Sequence, residues 1–197
     1  MKQAATIELF SYWDSLRAGL RRELLETDAT EVRTMLASTF LVEADDRRAY
    51  PLRVIGGTLA RLTSHARIGA SFLECWQPQS RDLLEAMLRV VHDERLPAVI
   101  GARAVHGERG AMAAECLLLP ILSQPGGKPR ILGGMAPSGV LNRRGAPVPL
   151  EIVSARVIRK PAIGQIFAWD RGESPPAPMP AVGEPVAHLR VIEGGRI

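Results

Sequence analysis

This sequence predicts an α+β fold: a five-stranded antiparallel sheet with helices on one face, preceded by N-terminal helices and followed by a proline-rich C-terminal extension. Three observations carry that expectation. Two strand-like segments, a helical middle and three further strand-like segments follow one another along the chain, the order expected of a sheet and its roof. The connections among the last three strands are rich in Gly and Pro, as antiparallel turns require. The 197 residues are 46% hydrophobic and 23% charged, which suffices for one core with extensions and leaves little room for a second of independent size.

The elements follow in order. Ile7, Phe10, Trp13, Leu16 and Leu20 recur at three- and four-residue spacing, which predicts an amphipathic helix from Ile7 to Gly19 that docks on another element. Asp28 and Glu31 resemble a capping box opening a short helix to about Ala37, with Val32, Met35 and Leu36 on its apolar face. Thr39–Glu43 and Tyr50–Ile55 read as a hairpin around the polar Asp45–Arg48, ended by Gly56 and Gly57. Short helical turns fill Thr58–Trp76, where apolar residues are interrupted by Gly69. The clearest helix spans Ser80–Asp93: Leu83, Leu84, Met87, Leu88 and Val91 share one face, Glu85 and Arg89 pair at i,i+4 on the other, and Pro97 closes the segment. Ala98–Val105, Ala113–Leu122 and Arg130–Ala136 are the last three strands. Nine of the 15 prolines lie from Pro137 onward and five fall within Pro175–Pro185, so Gly172–Glu184 reads as an extended linker. Leu150–Ile158 is compatible with a strand or a short helix, and His188–Ile192 with a strand. The chain therefore divides into an N-terminal helical extension at 1–38, a sheet domain at 39–138 and a C-terminal extension at 139–197.

Composition excludes several function classes. The net charge of +4 invites a nucleic-acid reading, but the cations are scattered and acids flank two of the three Arg-Arg pairs. Aromatics make up only 5%, too few for a stacking platform, so no nucleic-acid partner is expected. No apolar run approaches the roughly 20 residues of a membrane helix, and MKQAATIELF is no signal peptide, so the expected address is cytoplasmic. Cys75 and Cys116 have no CxxC or nearby His pair, which argues against a disulfide scaffold or zinc cage and for two buried, reduced thiols.

Catalytic signals are lacking as well. There is no GxSxG, GxGxxG, P-loop, HxxxH or HExxH. His65, His92, His106 and His188 are isolated; His92, near the end of the long helix, is the one candidate for a haem ligand, and an exposed surface histidine is the favoured reading. Asp45 and Asp46 fit a turn better than acid-base work. Gly56-Gly57 and Gly133-Gly134 are the glycine pairs at which a ligand backbone could approach. Arg53 is harder to dismiss. Strand alternation would put Arg53 and Ile55 on one face and Leu52 and Val54 on the other, and an inward Arg53 needs a carbonyl, an acid such as Glu115, or a ligand anion.

Several strings together carry a family resemblance: LFSYWDSLRAG at Leu9–Gly19, TFLVE at Thr39–Glu43, RVIGGT at Arg53–Thr58, GASFLECW at Gly69–Trp76, ECLLLP at Glu115–Pro120 and HLRVIEGGR at His188–Arg196. With them the chain resembles, over nearly its whole length, the PAS-like family of small stand-alone proteins found largely in alphaproteobacteria, the fifth PAS grouping and formerly a family of unknown function. One departure is that Leu20-Arg-Arg-Glu-Leu follows the first helix where the family has a basic residue and a proline-containing segment.

The resemblance implies a PAS-like sheet domain, a small cavity between sheet and helices, and a surface that passes its state to partners. It implies no enzymatic activity and no defined cofactor; the Asn-Cys-Arg string of photoadduct-forming flavin domains has no counterpart in Gly69–Trp76. Two functional expectations follow. One is a cytoplasmic, non-enzymatic sensory or signalling protein acting on a protein partner or as a homodimer, with Tyr12 and Trp13 on the packing or interaction helix. The alternative is a sensor that requires its ligand, an anion, an apolar metabolite or haem, in a pocket lined by Arg53, Phe72, Trp76 and Met87.

Overall fold

The structure is a computed structural model, and it describes residues 1–17, 29–44, 49–105, 111–121, 128–139 and 149–159. Helices α1 (Ala4–Arg17) and α2 (Ala29–Ser38) lead into strands β1 (Thr39–Glu43) and β2 (Leu52–Ile55). Helix α3 (Gly57–Leu62), a 3-10 turn (Phe72–Cys75) and helix α4 (Pro78–Asp93) follow, then strands β3 (Ala98–Val105), β4 (Ala111–Ile121), β5 (Arg130–Pro137) and β6 (Leu150–Val157). Several expectations lie outside the described residues: Leu20 of the first stripe, Asp28 of the capping box, the loop at Asp45–Arg48, the proline-rich linker at Gly172–Glu184 and the strand at His188–Ile192.

The strands form one antiparallel sheet in the order β2-β1-β5-β4-β3-β6. Among the described residues it has six strands, one more than the sequence predicts. Leu150–Val157 is a strand because it adds to the open edge of β3, where Leu150, Ile152 and Ala155 are buried. That new edge is itself partly capped: the Ser80 hydroxyl on α4 accepts the Ile152 amide at 3.0 Å, and the Gln77 amide donates to the Leu150 carbonyl at 2.8 Å. The opposite edge, β2, is covered by residues 69–72 through the Leu52 amide to Ala70 and the Gly69 amide to Leu52. Both edges thus satisfy backbone groups that would otherwise template aggregation.

The segment between β2 and β3 roofs one sheet face, as predicted. Leu84, Met87, Leu88 and Val91 of α4, Leu59 and Leu62 of α3, and Phe72, Cys75 and Trp76 pack there on Phe40, Val42, Ile100, Cys116, Leu118, Ile131 and Met135. Pro78 at the first turn suits the start of α4, and the left-handed Arg95 (φ 56°) marks its end ahead of Pro97.

The other face is covered too. Helix α1 lies across it, with Leu9, Phe10 and Trp13 against Val99, Leu117 and Leu119. Its buried stripe is Thr6, Leu9, Phe10 and Trp13, so Ile7 and Leu16 of the expected stripe are exposed at 38% and 50%. Both stripes have helical spacing; the landing site chooses between them. Leu9 sits over Gly134, Trp13 Nε1 donates to the Pro120 carbonyl at 2.8 Å, and the Thr6 hydroxyl donates to the Glu115 carboxylate. Glu115 also accepts the Lys2 amide at 2.9 Å, so a carboxylate from β4 caps the first turn of α1, where the helix has none of its own.

The alternation expected for β2 does not hold. Phe40 pairs with Ile55, Leu41 with Val54 and Val42 with Leu52, which leaves Arg53 as the extra residue of a bulge. One extra residue resets the pleat, so Leu52 and Ile55 face the core while Arg53 and Val54 face out.

Candidate functional site

The interior between sheet and roof is the candidate site. Its centre is aromatic: Phe40 stacks on Phe72 at 4.8 Å between ring centroids, and Phe72 meets Trp76 edge-to-face at 5.9 Å. The short turn that carries the last two is set locally. The Ser71 hydroxyl accepts the Leu73 amide, and the Trp76 amide closes the turn on the Leu73 carbonyl. Trp76 is then held in place by the Arg81 Nε–H, which donates to its carbonyl at 3.1 Å, and by a bridge to Leu150. Met87 reaches the same cluster from α4.

Trp76 is fully buried, and among the described residues its indole N–H has no hydrogen-bond acceptor. An unsatisfied buried donor costs about 1–3 kcal/mol, which marks the spot as one where an acceptor would be favourable. Nearby thiols supply little reactivity. Burial pushes the Cys75 thiol up to about 12, with Glu74 adding to the rise, and burial raises Cys116 further, with Cys75 and Glu115 contributing. Both are free and buried, hence neutral thiols at physiological pH.

Of the four ligand-site residues named from the sequence, the structure brings Phe72, Trp76 and Met87 together and leaves Arg53 elsewhere. Arg53 lies on the outward side of the β2 bulge, where its Nη2 and Nε donate to Glu43 at 2.8 and 3.2 Å. Its acid is Glu43, not Glu115. Lys128 lies 3.3 Å from the same carboxylate, and the hydrogen bond from Arg53 is the main cause holding the Glu43 carboxyl below its ordinary range.

Trp13 is buried, only 5% exposed, with the Arg17 guanidinium 4.8 Å over its ring, while Tyr12 is half-buried. Trp13 therefore anchors α1, and the accessible part of that helix is carried by neighbours such as Tyr12 and Leu16, four residues apart on one flank. His92 pairs with the adjacent Asp93 at the surface end of α4. Among the described residues no group of His, Cys, Asp and Glu could hold a metal, and no helix is long and apolar enough to cross a membrane.

Two features escaped the sequence reading. The glycine pair Gly133-Gly134, considered there for a ligand, instead admits side chains from opposite faces: Phe40 over Gly133 and Leu9 over Gly134. A glycine pair inside a strand was the available signal, since it marks close approach, but not of what. The unpartnered Trp76 indole left no sequence trace at all. Residues 1–136 match the family model described as PAS domain, a span that includes α1, α2 and the first five strands of the sheet except the last residue of β5. No curated protein matches the chain.

Proposed function

The chain belongs to the PAS domain family, whose members are generally sensory and non-catalytic, and from that premise we propose a cytoplasmic signalling protein that works through protein contacts made by the outer side of α1. The supporting observation is the pair of consecutive glycines in β5. Phe40 of the interior rests on Gly133 and Leu9 of α1 rests on Gly134, so the core and the outer helix are separated there by one strand of backbone. Close-packed contacts of this kind transmit displacement, because the interior has no slack to absorb it. A change in the aromatic core is thereby passed to α1, whose Tyr12 and Leu16 are available to a partner, either another protein or a second copy.

Placing a photo-crosslinking amino acid at Leu16, and separately at Arg89 on the exposed face of α4, tests this. The expectation is a discrete protein adduct from position 16 in cells and none from position 89. Adducts from 89 alone would remove α1 from its role.

A second reading is favoured by Trp76. A small molecule with a hydrogen-bond acceptor, seated among Phe72, Trp76 and Met87, would satisfy the indole N–H, and the core would then respond to it. Native mass spectrometry of the freshly purified chain, followed by a thermal-shift metabolite panel on wild type and Trp76→Phe, separates the two readings. A retained molecule or stabilisation lost in Trp76→Phe favours the ligand-dependent sensor; neither leaves contact signalling alone.

A further inference from the structure

Strand β5 outruns its neighbour. Its last partner in β1 is Gly134, opposite Thr39, and Met135–Pro137 continue alone on that side because the chain joins the sheet only at Thr39, directly after α2 ends at Ser38. The gap is an open groove of about 490 Å³ between the start of α1, the end of α2, α3 and the overhanging strand. That volume falls in the range of small-molecule sites. Its walls combine apolar surface, including Ala4, Ala37 and Pro137, with Thr58 and two arginines, Arg33 and Arg61, and no Asp or Glu lines it among the described residues.

Three arginines elsewhere are already neutralised. Arg53, Arg89 and Arg103 each face a carboxylate, of Glu43, Glu85 and Glu151 respectively. Arg33 and Arg61 converge on the groove with no carboxylate partner among the described residues. Arg61 is also positioned in advance: its Nε–H donates to the Gly57 carbonyl at 3.2 Å, one turn back along α3, which ties down the stem and leaves the terminal amino groups to bind. Two like charges over an apolar wall are relieved by an anion between them, and a guanidinium fork matches a carboxylate in plane and spacing.

We propose that this groove binds a small organic carboxylate, with Arg33 and Arg61 on its charged end and its aliphatic part along Ala37 and Pro137. The site is separate from the aromatic interior and independent of the α1 contact reading. It adjoins both α1 and α2, so occupancy bridges the two helices from outside the core.

The test uses the full chain, with the arginine Nε–H resonances followed by NMR during titration with glutarate against sodium chloride of equal ionic strength. Saturable shifts of the Arg33 and Arg61 signals are expected, with none from the neutral diamide glutaramide. The response should be lost in Arg33→Gln and in Arg61→Gln, both surface substitutions, while the amide spectrum of the sheet is retained. An equal response to chloride, a shift shared by Arg53 and Arg89, or saturation that survives both substitutions overturns the proposal. Saturation by inorganic phosphate but not by glutarate overturns the carboxylate assignment.

Discussion

The ring of Phe40 rests on the backbone of Gly133, its register partner across the β1–β5 ladder, so closely that a methyl group at Gly133 would overlap three ring carbons. Glycine is needed at that position for space, and the aromatic stack through Phe72 to Trp76 is built on the room it leaves. Gly133→Ala is therefore expected to destabilise the fold by about 1–3 kcal/mol through overpacking. Urea denaturation would measure it. Combining it with Phe40→Leu should recover part of the loss, and strict additivity of the two would contradict the contact.

Trp13 should behave as the anchor of α1. Trp13→Ala removes a large buried ring and the donor to Pro120, for a cost of about 3–5 kcal/mol. Because α1 carries the helical side chains buried on the outer face and α4 lies on the other, hydrogen exchange should show lost protection in α1 with α4 still protected. Uniform loss in both helices would mean that the outer layer is not a separate unit.

The acid side of the stability profile should report Glu43. Its carboxyl is held below the ordinary range by Arg53, assisted by Lys128, so the folded state favours the charged form. The associated stability is present above the unfolded-state pKa and is lost as pH falls through the folded-state value. Melting temperatures of Glu43→Gln should lie below wild type near neutral pH and converge with it in acid. Parallel curves would show that the Arg53 pair contributes nothing to the pH dependence.

Both thiols should resist modification in the native protein. With Cys75 raised to about 12 and Cys116 raised by complete burial, the thiolate population is negligible in mildly alkaline buffer. Iodoacetamide is expected to label neither in the folded chain and both in denaturant, as read by intact mass. Rapid native labelling of either would mean that the core opens more readily than its packing implies.

Much of the architecture was legible because it is written in local periodicity. The α4 face from Leu84 to Val91, the strands of the second half and the Gly/Pro connections all follow from spacing over a few residues. The β2 bulge was not: alternation assumes an uninterrupted pleat, and the extra residue at Arg53 becomes visible only in register with β1. Of the candidate site, Phe72, Trp76 and Met87 were accessible as apolar residues of the roof. The Phe40 contact and the unpartnered indole depend on what each side chain meets across the sheet, and no local pattern encodes that.

By itself, then, the sequence determined the kinds of elements, their order and the roof between the second and third strands, since backbone preferences and apolar spacing are properties of short segments. Tertiary structure decided which stripe of α1 is buried, that Glu115 caps that helix, that Glu43 takes Arg53, and that Leu150–Val157 joins the sheet beside β3. Each of those outcomes joins residues far apart in the chain, where burial and the need to satisfy polar groups select one partner among several that local patterning leaves equivalent.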